Sequence, residues 1–583
     1  MRRRKVVSYE FLRSDVLALG FGLLSIIFIT KLYSIQVKKH EVLSAKAQEQ
    51  YQNLSTIQAK RGNIYARDMQ PLAASQKAYL LYFEPKVISD KAKVAQRLAV
   101  LLAEEKEDEQ KLITHFTKLL NLNLFWVAAQ HEILPETKSK IEALNIRGVG
   151  FEEEPIRFYP EKRLASHVLG YVAKNDSGDA QGYFGIEGYF NGDLLGRPGR
   201  VIQEKDALGN PILVGKYRRN DPIDGTDIVL TIDRALQYMV EKKLETGVKK
   251  YEADFGSIIV MDPLTGEILA LANFPAYDPG NIVVYEEKEK DLYADQPINY
   301  AVSEVYEPGS VIKALTVSAG IDTGAIKKDS TFNDAGPVEY SGYTVDNWDL
   351  KHHNVQTITQ LLQKSNNIGS AWVAYQVGGK DLYKYFRSFG LGGKTGVELE
   401  GEDSGFLRND KDLTAIDLAT SGFGQGMSAT PLQVLNAFNV IANEGILLKP
   451  RIVKQLRDSQ RTVDLNPKPI KKVLSKETAK TVEMMLEDAA SGGEAKYFVI
   501  KNYRIAGKTG TAQIPKDGKY DPKETNATFV GYLSGEKKVS ILVKLNRPKT
   551  SPYASETAVP IWMEVANEII KYYGIAPDRD AGL

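Results

Sequence analysis

The chain has no cysteine. That absence excludes disulfides, thiolate-bound zinc, iron–sulfur clusters and thiol nucleophiles. Histidine is scarce, with 6 in 583 residues. His352 and His353 are adjacent and the sequence suggests no third ligand, so a surface or turn position is expected and no metal or other cofactor is implied. Charge of one sign is lacking as well. Lys and Arg number 75 against 74 Asp and Glu, a net charge of +1, so whole-chain charge gives no reason to expect a nucleic-acid partner. The mean hydropathy of −0.29 is too polar for a multi-span membrane protein. Internal repeats and low-complexity tracts are missing. With 43% hydrophobic and 26% charged residues the composition is that of ordinary globular domains, about four of typical size.

What is present begins with location. Met1-Arg-Arg-Arg-Lys5 and Arg13 precede an apolar run. Val16 to Thr30 carries no charge, and Leu32-Tyr33-Ser34-Ile35 extends the run past Lys31. That is about 20 residues, the length needed to cross a bilayer. Lys31 can snorkel to the interface beside Tyr33. The basic cluster places residues 1–15 in the cytoplasm and the remainder outside. Ala45-Lys46-Ala47 has the form of a signal-peptidase site but lies about 15 residues past the run, so an uncleaved single-pass anchor over 16–35 is expected.

Residues 38–58 read as helical, 88–144 as helical around the solvated charge run 104–109, and 148–226 as Gly- and Tyr-rich strands and loops. Gly256–Met261 and Glu267–Ala272 read as a β-hairpin turning at Asp262-Pro-Leu-Thr-Gly266. Mostly helical patterns fill 307–445. Strands recur at about 502–513, 525–533 and 538–545, and Pro560–Tyr572 reads as a closing helix. Two strands, a helical insert, three strands and a helix predict an antiparallel sheet with helices on its faces.

Three short motifs carry chemistry. In Pro308-Gly309-Ser310-Val311-Ile312-Lys313, Ser310 and Lys313 share a helix face, setting a hydroxyl beside an amine. A serine needs a base, and a buried lysine near another cation can serve as one. Ser365-Asn366-Asn367 can offer a hydroxyl and an amide to one cleft, although alone it reads more readily as a turn or helix cap. Lys508-Thr509-Gly510-Thr511 follows a strand-like run, with Gly510 permitting close approach. Two decoys share the letters. Ser534-Gly535-Glu536-Lys537 reads as a hairpin turn and Lys394-Thr395-Gly396 as a turn.

S-x-x-K, S-x-N and K-T-G in this order are the set of penicillin-binding proteins and class A β-lactamases. The chain resembles a class B penicillin-binding protein, a membrane-anchored peptidoglycan D,D-transpeptidase, over nearly its whole length. Arg61-Gly62-Asn63-Ile64-Tyr65 resembles that family's R-G-x-I signature, and Ser166–Tyr171 and Gly185-Ile186-Glu187 its pedestal motifs. Ser421-Gly-Phe-Gly-Gln-Gly426 with Thr430-Pro431-Leu432-Gln433 resembles its catalytic domain. Ala66, Asn366 and Tyr300 depart from the usual Asp, Ser and Arg, and none of the three removes a catalytic group.

The resemblance implies an α/β chain of the α+β type. It comprises a cytoplasmic tail (1–15), a transmembrane anchor (16–35), an elongated α+β pedestal of the dimerisation type (36–225) and a β-lactamase-like transpeptidase domain (226–583) with a five-stranded antiparallel sheet flanked by helices. It also implies roles. Ser310 is the nucleophile and Lys313 its base. Ser365 relays the proton, and Asn367 holds substrate and Lys313. Lys508 lowers the proton affinity of Lys313 and, with Thr509, Gly510 and Thr511, binds substrate. The backbone N–H groups of Ser310 and Thr511 form the oxyanion hole. The implied partners are peptidoglycan stem peptides ending in D-Ala-D-Ala, a polytopic membrane glycosyltransferase, division or elongation proteins, and β-lactams as covalent inhibitors. The implied location is the bacterial cytoplasmic membrane. Glu307-Pro308-Gly309-Ser310 and Phe389-Gly-Leu-Gly392 with Thr395–Leu399 look more like the septal branch than the elongation branch. A D,D-carboxypeptidase, a β-lactamase, a non-enzymatic β-lactam sensor and an inactive scaffold are the rival readings.

Overall fold

The computed structural model describes residues 13–103, 105–176, 178–204, 217–282, 297–498, 500–516 and 519–578. It comprises two compact units, Met1–Ala59 with Arg197–Ile223, and Lys60–Gly196 with Asp224–Leu583.

In the first unit, Arg13–Tyr33 is α-helical and continues through a π-helical turn, Ser34–Lys38, into the helix His40–Tyr51. Ser14–Lys38 is, among the described residues, the one helix long and apolar enough to cross a membrane. The basic cluster 1–5 lies outside the described residues. The helix expected over 38–58 stops early. Gln52–Ile57 is a strand, paired antiparallel with Gly199–Glu204, which pairs in turn with Tyr217–Asn220. A partner that distant along the chain leaves no local trace.

The second unit opens on a mixed seven-stranded sheet. Ile64–Tyr65 lies between Asp227–Leu230 (parallel) and Pro71–Phe83 (antiparallel), and Val453–Arg457 extends the sheet beyond Asp227–Leu230. The stretch 88–144 is not helical throughout. Lys91–Leu102 and Lys106–Leu120 are amphipathic helices, but Val127–Ile133 pairs with Pro71–Phe83. Its alternating Ala129 and Ile133 join Leu81, Phe83, Leu98 and Phe116 in one core. The Arg61 and Glu187 motifs meet in the same unit, beside a different core that holds Ile64 and Ile186. Glu187 is fully buried and accepts from Arg61 Nε at 2.7 Å and Arg157 Nε at 2.6 Å.

The catalytic part is an antiparallel sheet of β1 (Phe255–Met261), β2 (Ile268–Phe274), β3 (Ile505–Lys516), β4 (Lys519–Leu533) and β5 (Val539–Asn546), in the order β2-β1-β5-β4-β3. The helices that matter are α1 (Arg234–Tyr251), α2 (Ile312–Asp322), α3 (Ile358–Lys364), α4 (Asn367–Val377), α5 (Pro431–Ala442), α6 (Lys476–Gly492) and α7 (Ala558–Tyr573). Strand alternation sends Ile258, Val260, Phe529, Ile541 and Val543 to one face, against Leu244 of α1 and Trp562 of α7. Ile259, Met261, Val530 and Leu542 face the opposite core, with α2, α5 and α6. The stretch 307–445, read as mostly helical, also holds four short strands between Thr331 and Thr357, two of them pairing as Thr331–Asp334 with Asn354–Thr357. Every residue of α2 from Ile312 to Gly320 is buried, as expected of a helix enclosed on all sides. β3 is an edge strand, so one side of its backbone is unpaired by the sheet.

Candidate active site

Ser310 sits in a 3₁₀ turn, Gly309–Val311, that runs into α2, and Lys313 follows in the first turn of α2. Gly309 has φ +59°, and a Cβ there would come within 3.1 Å of Ala512 on β3. The Ser310 turn and β3 are therefore in direct contact. Gly510 makes the complementary allowance, since a Cβ on it would lie 2.9 Å from both Pro308 O and Val311 Cγ1. The neighbour for which Gly510 makes room is thus the turn that carries Ser310.

Ser365 caps the C-terminus of α3 in the left-handed conformation (φ +53°), uncommon for serine. This directs its carbonyl oxygen at Lys313 Nζ, which donates to it. Lys313 Nζ also donates to Asn367 Oδ1 at 2.7 Å and to Ser365 Oγ at 3.3 Å. Asn366 is both helix cap and anchor. Its Oδ1 accepts from Gly369 N at 2.7 Å, and its Nδ2 donates to Asp334 Oδ2 at 2.8 Å. Asp334 is fully buried and also accepts from Asn347 Nδ2 at 2.9 Å and His353 N at 3.0 Å. Asn347 in turn accepts from Asn367 N, and Asn367 Nδ2 donates to Asp346 O at 2.9 Å. His352 lies 3.5 Å from both Asp334 and Asp346, so the histidine pair belongs to this brace.

From β3, Lys508 Nζ donates to Ser365 Oγ at 3.0 Å, Thr509 Oγ1 at 3.0 Å and Thr509 O at 3.2 Å. Thr509 Oγ1 donates to Glu494 Oε2 at 2.5 Å. Thr511 Oγ1 accepts from Ala554 N at 3.0 Å. Ser310, Ser365, Asn367, Thr509 and Thr511 line one cleft of about 710 Å³, while Lys313 and Lys508 are buried beneath it. Burial pushes the Lys313 amine well below its usual range, the adjacent Lys508 pushes it further, and Glu494 opposes both. Burial lowers Lys508 as well, again against Glu494. Two ammonium groups sharing one hydroxyl acceptor in a desolvated site favour one neutral amine.

The residues singled out from sequence therefore lie together, with Gly510 turned to the Ser310 turn. Sequence reasoning missed Glu494, the Asp334–Asn347 brace, and the cleft aromatics Tyr343, Trp348, Tyr520 and Tyr553. No motif marks them, because they come from loops, short strands and the end of a hairpin. The decoys lie elsewhere. Ser534–Lys537 is the turn between β4 and β5, and Lys394-Thr395-Gly396 is a loop held by Glu402. The departures at Ala66 and Tyr300 are absorbed by packing. Ala66 is fully buried, and Tyr300 stacks on Phe255 at 4.3 Å.

Comparison with known proteins agrees with this geometry. Residues 256–571 match the penicillin binding protein transpeptidase domain, and residues 56–230 match the penicillin-binding protein dimerisation domain. Stage V sporulation protein D of Bacillus subtilis is 31% identical over 567 residues, covering 96% of this chain and 86% of the relative. Peptidoglycan D,D-transpeptidase FtsI of Escherichia coli is 28% identical over 583 residues, covering 98% and 93%. Among solved structures, penicillin binding protein 2X from Streptococcus thermophilus superposes with a TM-score of 0.73 at 26% identity, covering 89% of this chain and 80% of that one. Penicillin binding protein 3 from Mycobacterium tuberculosis, complexed with aztreonam, does so with a TM-score of 0.69 at 25% identity, covering 91% and 99%. This chain belongs to the penicillin-binding protein transpeptidase family, in its class B branch.

Proposed function

We propose that this protein cross-links peptidoglycan as a serine D,D-transpeptidase through an acyl-enzyme on Ser310, in septal wall synthesis. One observation carries the reading: Ser310, Ser365 and Asn367 line the cleft under which Lys313 and Lys508 are buried and joined through Ser365. As a neutral amine, Lys313 keeps its two N–H bonds for the nearest acceptors, Ser365 O and Asn367 Oδ1, and has a lone pair left to act as a base.

Ser310 Oγ attacks the carbonyl carbon of the penultimate D-Ala of a donor stem peptide and gives its proton to Lys313. The N–H groups of Ser310 and Thr511 hold the developing oxyanion, in keeping with a helix N-terminus at Ser310 and an edge strand at Thr511. Ser365, whose Oγ accepts from Lys508 and lies 3.3 Å from Lys313 Nζ, passes a proton to the leaving D-Ala nitrogen. Asn367 holds the substrate and Lys313. Lys508 supplies the positive charge for the terminal carboxylate, and Thr509 and Thr511 line the cleft that receives it. An amine from a neighbouring strand then attacks the ester, restoring Ser310 and completing the cross-link.

Residues 1–15 are read as cytoplasmic, 16–35 as the anchor, 36–225 as the pedestal and 226–583 as the transpeptidase domain, exposed outside the membrane. A polytopic glycosyltransferase supplies the glycan strands, with anchor and pedestal as its contacts. The septal assignment rests on Glu307 before Pro-Gly-Ser, on the Phe389–Leu399 pattern and on likeness to the FtsI relatives.

The test supplies a D-Ala-D-Ala stem peptide donor and an amine acceptor to the purified full chain. Release of D-Ala coupled to acceptor incorporation is expected. Release with hydrolysis alone would make the protein a carboxypeptidase. A fluorescent fusion distributed along the side wall instead of midcell would move it to the elongation branch.

A further inference from the structure

Glu494 has no place in the motifs, yet its carboxylate forms part of the cleft wall at the junction after α6. It is tied into the lysine pair by a continuous hydrogen-bonded chain. Lys508 Nζ donates to Thr509 Oγ1, and Thr509 Oγ1 donates to Glu494 Oε2 at 2.5 Å. Thr509 has one hydroxyl proton, and Glu494 holds it, so Thr509 presents only lone pairs to Lys508. All three protons of a Lys508 ammonium are thereby placed, on Ser365 Oγ, Thr509 Oγ1 and Thr509 O. The partners of Lys313 are different in kind, being a carbonyl oxygen, an amide oxygen and a hydroxyl. The two buried amines thus differ in one respect that decides charge: Lys508 is linked to a carboxylate and Lys313 is not.

Resting on the reading of Ser310 and Lys313 given above, we propose that Glu494 is a positioning residue that acts through Thr509 to hold Lys508 as the ammonium, leaving Lys313 as the neutral base. Charged and titratable groups facing the pair come from every neighbouring element. Lys313 comes from α2, Lys508 from β3 and Glu494 from the segment after α6. Asp346 borders the cleft beside Asn367, Asp334 lies behind Asn366, and Glu307 precedes the nucleophile turn. Only Glu494 among these carboxylates both raises the proton affinity of the two lysines and is hydrogen-bonded to a partner of one of them.

A consequence follows for pH dependence. Acylation requires Lys313 deprotonated and Lys508 protonated, which gives a bell-shaped profile. Removing the negative charge weakens both protonated forms, so both limbs must move toward acid.

The experiment measures the second-order rate of labelling by a fluorescent penicillin against pH. It uses the full-length protein in detergent, as wild type, Glu494→Gln, Glu494→Asp and Thr509→Val, with thermal melting to verify folding. The Glu494→Gln limbs are expected to shift toward acid by on the order of one pH unit, and Glu494→Asp to return them toward wild type. If Glu494→Gln fails to fold, Thr509→Val keeps the carboxylate but cuts the link, and its alkaline limb is expected to move toward acid. A Glu494→Gln profile with wild-type limbs, whatever its height, overturns the proposal, as does an unmoved Thr509→Val profile. Wild-type protein with no Ser310-dependent label overturns the reading beneath it and the proposal together, an outcome distinguishable from an unmoved profile in a protein that labels.

Discussion

Two segments of this chain place a serine three residues ahead of a lysine, and they meet opposite fates. At Ser310–Lys313 the lysine is wholly buried and its hydrogen-bond partners belong to a second motif 52 and 54 residues away. At Ser534–Lys537 the serine hydroxyl is committed to Glu487 at 2.5 Å, and the lysine lies over the Tyr573 ring at 3.8 Å. The two K-T-G copies divide the same way. Thr509 joins the lysine network, whereas Thr395 gives both its N–H and its hydroxyl to Glu402. In the proposed mechanism, identical letters become reactive only where folding removes water from the amine and supplies no carboxylate to neutralise it directly. Elsewhere the same side chains find partners and become structure.

The comparison can be broken most sharply at the lysines. Lys313→Arg substitutes a cation that does not give up its proton, and the rate of acylation by a penicillin is expected to fall roughly 10³-fold. Lys537→Arg, measured in parallel, is expected to leave the rate unchanged. A smaller effect separates the braces. Asp334→Ala strands Asn366, Asn347 and the His353 N–H, and should cost about 3 kcal/mol of stability with a fall in acylation. Glu402→Ala should cost about 2 kcal/mol and leave acylation intact. Chemical denaturation beside labelling kinetics reads both.

A third buried lysine sharpens the contrast further. Lys544 on β5 is enclosed between the rings of Tyr306 (4.6 Å) and Phe255 (5.1 Å), and no hydrogen-bond acceptor reaches its Nζ among the described residues. Burial depresses it from 10.5 to about 8. The lowered folded-state value means that charging Lys544 opposes folding. The penalty is full below about pH 8 and vanishes as pH rises toward 10.5. Lys544→Met should therefore raise stability by about 2 kcal/mol at pH 7, net of the lost cation–π contacts. The gain should shrink as melting is repeated at higher pH. The smallest effect belongs to Ser534→Ala, expected to cost about 1 kcal/mol and to leave acylation unchanged.

These contrasts also mark what was legible in the sequence. Order and spacing brought Ser310, Lys313, Ser365, Asn367 and Lys508 to attention, and the β1–β2 hairpin, the last three strands and α7 follow from period-2 and period-3.6 patterning. Glu494 was not legible. It stands 15 residues ahead of Thr509 in a short connection, and it reaches the site only because α6 packs along β3 and α3. Asp334 was hidden for a similar reason, on a four-residue strand inside a stretch that reads as helical. Val127–Ile133 and Gln52–Ile57 are strands because of partners remote in sequence. Residues chosen for chemistry sit in short recognisable strings, whereas those that support them are placed by tertiary packing.

The most direct measurement is the mass of the intact protein after brief exposure to a penicillin, followed by proteolytic mapping of the adduct. The account expects a single added drug, on the peptide that contains Ser310, persisting over hours because the ester awaits an amine acceptor. An adduct on the Ser534 peptide, or rapid return to the unmodified mass with hydrolysed drug in solution, would contradict it.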